Sequence, residues 1–246
     1  MKPDNIFMFY VYAKVTKIQK GGFMRYFGLL ICCACGTMNT ARPLEKGQTA
    51  VGLTLGGPMV EFGGSFVPLP NAVIEGRTGM TPWKGKNWDI NYGLNLTATA
   101  FDQLGMHVGA TNQLLNQNGN IPAISVSNRI YLYSNHLSPA STDMGKGIWS
   151  NYEISTTLSW KLGKQMVYTG FSQYFDIPSP SLTLTPFLGV ELFHSGLTNG
   201  FGLQLEVRNY AIGRNPTVNT ATWNTPFGSG AFGGSLGFVY RFGGAK

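Results

Sequence analysis

Residues 231–242, AFGGSLGFVYRF, put Phe232, Leu236, Phe238, Tyr240 and Phe242 on one face of an extended chain and Gly233, Ser235, Gly237 and Arg241 on the other. A β-strand imposes this segregation, because its successive side chains point to opposite faces. One face of the strand is apolar and aromatic, and the other is small, polar and charged. Such a strand belongs in a sheet with two different environments on its two sides.

The same period recurs along the chain. Ile90, Tyr92, Leu94, Leu96, Ala98 and Ala100 alternate with Asn91, Gly93, Asn95, Thr97 and Thr99. Ile124, Val126, Ile130 and Leu132 oppose Ser125, Ser127, Arg129, Tyr131 and Tyr133, and Ile154, Leu158, Trp160 and Leu162 oppose Glu153, Ser155, Thr157, Ser159 and Lys161. Ten strands are predicted, at 48–56, 71–80, 88–101, 104–116, 121–135, 151–162, 166–177, 182–192, around 203–208, and 231–242. The strand at 166–177 is less well segregated than the others. Residues 58–70 are interrupted by Pro and Gly and read as a loop or a distorted hairpin, which would raise the count to twelve. Residues 136–150 and 213–230 read as long polar loops, whereas the turns near Lys84, Asn118, Lys164 and Asn199 are short.

Composition narrows the fold class. Charged residues are 12% of the 246, about half the usual share in a soluble domain. Mean hydropathy is −0.01, and no apolar run approaches the ~20 residues of a membrane helix. A transmembrane β-barrel reconciles these facts, because each strand gives apolar residues to lipid and small or polar ones to the interior. The 33 glycines, 16 Phe, 11 Tyr and 5 Trp fit a curved wall with aromatic girdles. The expected fold is therefore all-β, a single antiparallel transmembrane barrel over 48–246. A soluble exported β-sandwich is the alternative.

The terminal aromatic strand resembles the one by which bacterial outer-membrane barrels are delivered to their insertion machinery, with Phe238, Tyr240 and Phe242 as its signal residues. From Met24 the chain reads MRYFGLLICCACGT, a positive residue, a short apolar stretch and small residues, which is the layout of a secretory signal. Residues 24–34 are read as that signal. Residues 1–23 precede it without cleavage logic, and codons for Lys20, Gly21 and Gly22 can spell a ribosome-binding sequence, so translation is expected to begin at Met24. All three cysteines, Cys32, Cys33 and Cys35, lie here, which excludes disulfides and cysteine metal sites from the barrel. Cys35, between Ala34 and Gly36, resembles the acylated cysteine of a bacterial lipoprotein, although Cys32 stands where that pattern prefers Leu. Residues 35–47 are then a lipidated tether; an ordinary cleaved signal is the other reading. With a Gly56-Gly57-Pro58 stretch and the terminal strand, the chain resembles uncharacterised bacterial outer-membrane β-barrel lipoproteins. That resemblance implies an outer-membrane location, with membrane lipid and the insertion machinery as partners.

The formal charge is +7, but the first 34 residues hold five of the 18 basic and one of the 11 acidic residues, and the remaining 13 and 10 leave +3. No basic cluster appears in the body of the chain, which argues against a nucleic-acid partner. The histidines His107, His136 and His194 are isolated, without metal-ligand spacing, and no cofactor motif is present. No catalytic residue is assigned, and the chain is read as a non-enzyme.

Period-two parity directs Glu75, Arg77, His107, Arg129, Glu153, Glu191, Glu206, Arg208 and Arg241 inward. Charge inside a narrow barrel must be paired or wet. A paired network predicts a closed core and a structural or surface-interaction role. A wet one predicts a narrow passive channel for small solutes. A hydrolase or acyltransferase is the third reading, and it needs a histidine beside a serine or aspartate at the outer rim.

Overall fold

The computed structural model describes residues 38–68, 71–83, 86–96, 103–135, 148–177, 183–192, 199–211, 222–225 and 228–244. The strands are β1 (Gln48–Phe62), β2 (Ser65–Pro68), β3 (Ala72–Trp83), β4 (Lys86–Asn95), β5 (Gln103–Leu115), β6 (Ala123–Asn135), β7 (Ile148–Leu162), β8 (Gln165–Ile177), β9 (Thr183–Leu192), β10 (Gly200–Ala211), β11 (Thr222–Thr225) and β12 (Gly228–Gly243). Each wall strand pairs antiparallel with its neighbours, and β1 closes the ring against β12 from Gln48↔Gly243 to Pro58↔Gly233. The wall is a closed barrel of ten strands, β1, β3 to β10 and β12.

β2 and β11 stand outside that count. β2 pairs only with the far end of β1, Met59–Phe62, and β11 only with the start of β12, Gly228–Ala231. The interrupted stretch at 58–70 is therefore a hairpin arm prolonging β1. Gly63 and Gly64, with φ of +60° and +83°, supply the left-handed pair that a two-residue hairpin turn demands. The region expected to be a loop over 213–230 likewise contains β11 and the first residues of β12, because Gly228–Ser229–Gly230 pair with Trp223, Asn224 and Thr225.

Turn chemistry gives one rim its short connections. At Asn118-Gly119-Asn120-Ile121 the amides of Asn118 and Ile121 each donate to the other's carbonyl, at 3.1 and 2.9 Å, and Gly119 takes φ +55°. Leu162 pairs with Gln165 and Trp83 with Lys86 at the same rim, where β1 also begins and β12 ends. This end is termed the turn rim, and the opposite end the loop rim. β3 is irregular between Met80 and Trp83, where Pro82 cannot donate to the ladder. β9 pairs with β10 only over Phe187–Leu192, so Pro186 falls just beyond that ladder.

The outward face is apolar: Val51, Leu55, Ile74, Ile90, Tyr92, Val108, Ile130, Leu188, Leu205 and Val207 are all exposed there, and Tyr240 is 56% exposed. Among the described residues no helix is long and apolar enough to cross a membrane. The fully buried side chains are mostly polar, Arg129, Arg208, Glu153, Asn91, Thr111 and Asn209 among them. The barrel is inside-out relative to a water-soluble domain, with its polar groups packed in the lumen.

Candidate functional site in the barrel lumen

Strand parity brings the charged side chains into the lumen, and the wall's own glycines make room for them. His107 on β5 lies opposite Gly93 on β4, where an added Cβ would sit 2.2 Å from the ring. Arg129 opposes Gly109, and Tyr168 opposes Gly189, where a Cβ would sit 2.1 Å from the phenol ring. A long side chain lies across a bare backbone at each of these cross-strand pairs.

Toward the loop rim the groups form a layer. His107 Nε2 is 3.1 Å from Glu75 Oε2, and its ring lies 5.6 Å from that of Tyr131. The Tyr131 hydroxyl donates to Glu153. Arg208 Nη2 is 3.4 Å from Glu153 Oε1 and also donates to Ser172 Oγ and the Tyr174 hydroxyl, both at 3.2 Å. Arg129 Nη1 lies 3.7 Å from Glu153 Oε2, and Arg208 Nε 3.5 Å from Glu206 Oε1. β7 and β10 are not neighbours, so the Glu153–Arg208 pair reaches across strands. Arg129, Glu153 and Arg208 are each 1% exposed.

Toward the turn rim, Arg77 pairs with Asp89 and Arg241 with Glu191. Between the pairs lies a stripe of small polar groups, in which Asn91 Nδ2 donates to Thr111 Oγ1 at 3.4 Å and Thr111 Oγ1 to Ser127 Oγ at 3.1 Å.

The centre of the lumen is filled by the chain itself. Residues 38–44, expected to be a tether, are buried inside the barrel. The Asn39 amide donates to Glu206 Oε2 at 2.9 Å, and its side-chain Nδ2 to Glu206 Oε1 at 3.3 Å. Ser172 Oγ donates to Asn39 Oδ1 at 3.4 Å, and Gln204 Nε2 to the Asn39 carbonyl at 2.8 Å. Arg129 donates to the Met38 carbonyl at 3.1 Å and to Thr40 Oγ1 at 3.4 Å. Arg42 donates through Nε to Ser159 Oγ at 3.0 Å, and through Nη2 to the Ser159 carbonyl at 3.3 Å and to Gln117. Arg77 in turn donates to the Arg42 carbonyl at 2.9 Å, and the Leu44 amide to Asp89 Oδ2 at 3.0 Å. Ala41 packs with Met166, Tyr168 and Phe187 in the one apolar cluster of buried side chains among the described residues.

All nine charged residues singled out by parity therefore stand on the inner face of the wall. Glu75–His107, Arg129–Glu153–Arg208–Glu206 and Arg241–Glu191 come together; Arg77 pairs with a residue that had not been singled out, Asp89. Asp89 shares its parity with Asn91 and Gly93, which is the signal that would have found it. The segment 38–44 carries no such signal, because its contacts come from side chains and not from a β-ladder. Phe238 and Tyr240 lie on the outward face, Phe238 6.1 Å from Phe201 and Tyr240 6.1 Å from Phe242. Cys35, His136 and His194 lie outside the described residues. Among the described residues, no group of three or more His, Cys, Asp or Glu is placed to hold a metal ion.

No protein-family model matches the chain, and no curated protein matches its sequence. Among solved structures, the translocator domain of autotransporter NalP from Neisseria meningitidis is similar over 94% of this chain and 98% of that one, with 12% identity and a TM-score of 0.37. A likeness that loose carries no inference about the chain's activity.

Proposed function

We propose that this chain is an outer-membrane β-barrel with a closed polar lumen, serving a structural or surface-interaction role and catalysing no reaction. The observation that carries the reading is the occupied lumen. Segment 38–44 runs from the turn rim, where Leu44 meets Asp89, to the level of Arg129, and beyond it Glu153 and Arg208 bridge across strands. A ten-stranded wall filled in this way supports a lumen whose charges are buried beside opposite charges, whereas a channel would need them wet.

The membrane assignment is supported by the outward apolar face and by the polar residues gathered inside. The short connections would face the periplasm and the long ones the exterior. Membrane lipid and the insertion machinery are the partners this reading carries, with Cys35 as the acylation site and Phe238, Tyr240 and Phe242 as the insertion signal.

Planar-bilayer recording of the purified full chain tests the closed lumen. Electrical silence under conditions that insert the barrel is the expected result, and steady unitary conductance would overturn it.

A further inference from the structure

We infer that the lumen is a peptide-recognition site, and that its occupant is the chain's own segment 38–44, held as a separable ligand through Asn39 and Arg42. This deepens the closed-lumen reading and rests on it. The class of ligand is a peptide carrying a carboxamide and, three residues later, a guanidinium.

The first argument is how the backbone is met. The carbonyls of Met38, Asn39 and Arg42 and the amides of Asn39 and Leu44 bond to side chains from β6, β10, β3 and β4. A strand of the wall satisfies its backbone by laddering; this segment is read by side chains converging from around the barrel, as a bound peptide is. The second argument is side-chain selectivity. The Asn39 carboxamide has a partner for each end, Glu206 for its NH₂ and Ser172 for its oxygen. An aspartate there would set a second carboxylate against Glu206.

Charge and space give the third and fourth arguments. Among the described residues the wall buries four arginines (77, 129, 208, 241) and places five carboxylates (75, 89, 153, 191, 206) in the lumen, and Arg42 of the segment supplies the fifth guanidinium. A Cβ on Gly237 would lie 2.6 Å from Met38 Sδ, and one on Gly79 would lie 1.9 Å from the Glu45 carbonyl oxygen. Two inward wall positions are thus left bare where the segment passes. The join between segment and wall is the exposed turn at 45–47, so the two are linked by a cuttable connection.

The test inserts a protease recognition sequence at 45–47 of the full chain and cuts the folded protein in detergent. In the Cys35→Ala chain, which has no acyl chain to hold the fragment in the same micelle, the cut segment should stay with the barrel through gel filtration and exchange for excess synthetic peptide spanning 36–46. Peptides with Asn39→Ala or Arg42→Ala should compete about 30-fold less well or worse, since each loses two or more hydrogen bonds of about 1 kcal/mol. Immediate loss of the segment from a barrel that keeps its folded electrophoretic mobility would overturn the inference, as would equal competition by the substituted peptides. Should the insertion prevent folding, hydrogen exchange of the uncut chain decides: the Asn39 and Leu44 amides should be protected, and at least about 10-fold less so in Asn39→Ala. Unprotected amides in the natural chain would refute the docking. Conductance of the uncut chain reports on the closed-lumen reading separately.

Discussion

Replacing Glu153 by alanine asks whether the lumen is dry. The carboxylate accepts from the Tyr131 hydroxyl, lies 3.4 Å from Arg208 Nη2 and 3.7 Å from Arg129 Nη1, and is 1% exposed. Removing it takes a carboxylate from beside two guanidiniums that are themselves 1% exposed. Breaking a buried pair by deleting one partner costs about 3–5 kcal/mol, because the survivor's charge is left desolvated. Both arginines retain other partners, Arg208 the Glu206 carboxylate, the Tyr174 hydroxyl and Ser172, Arg129 the Met38 carbonyl and Thr40, so the low end applies. The expected loss is about 3 kcal/mol for Glu153→Ala. It should be smaller for Glu153→Gln, which keeps an acceptor for Tyr131. Equilibrium urea unfolding of the refolded barrel in lipid vesicles, followed by tryptophan fluorescence, measures the difference. In a water-filled lumen the arginines would be solvated and the loss would resemble that of an exposed pair, ~0–1 kcal/mol. A loss below about 1 kcal/mol for Glu153→Ala would refute the dry network.

Gly189→Ala should cost about 1–3 kcal/mol in the same assay, because its Cβ would sit 2.1 Å from the Tyr168 ring and push that hydroxyl away from Glu206 and Gln204. Adding Tyr168→Ala should recover part of the Gly189→Ala effect; full additivity would show that the ring and the glycine are not in competition. Replacing Phe238, Tyr240 and Phe242 together by serine should lower the amount of heat-modifiable barrel in the outer-membrane fraction severalfold, and unchanged levels would remove their role in insertion. Metabolic labelling with palmitate should mark the natural chain and not Cys35→Ala, and a labelled Cys35→Ala protein would place the acyl group elsewhere.

Much of the wall was legible because each strand must choose sides. A one-residue slip would carry Arg129 into the apolar belt beside Ile130, so sequence parity and structural face coincide. The strand at 166–177 looked poorly segregated for a physical reason: Met166 and Tyr168 turn inward, where Ala41 and Phe187 give them an apolar niche within a polar lumen. Parity says which face a residue takes, but nothing about its partner. Arg77 finds Asp89 on the adjacent strand, and Glu153 finds Arg208 three strands away. The hairpin arm of β1 and β2 was obscured by Pro58 and by the Pro68-Leu69-Pro70 run, both of which argue against a wall strand; the arm escapes that objection by projecting beyond the wall.

The segment in the lumen also explains a size problem that the strand count poses. Eight strands enclose an interior that side chains alone can fill, and diameter grows with strand number, so ten strands enclose more than their own side chains occupy. This wall worsens the shortage by placing Gly79, Gly93, Gly109, Gly170, Gly189 and Gly237 on its inner face. Four of those gaps are taken by large side chains from the neighbouring strand, His107, Arg129, Phe187 and Tyr168. The other two, Gly79 and Gly237, lie opposite Asp89 and Gln204, and an added Cβ there would first meet Glu45 and Met38 of the entering chain. These six positions therefore fall into two sets, one filled by the wall and one met by the entering chain. Gly93→Ala should disturb the charged layer through His107 while leaving the Asn39 amide protected from exchange. Gly237→Leu should do the reverse, exposing that amide to exchange while a Glu153→Ala substitution in the same background still costs about 3 kcal/mol. If Gly237→Leu and Gly93→Ala gave the same exchange pattern, the two sets would be one, and the segment would be core packing that cannot be separated from the wall.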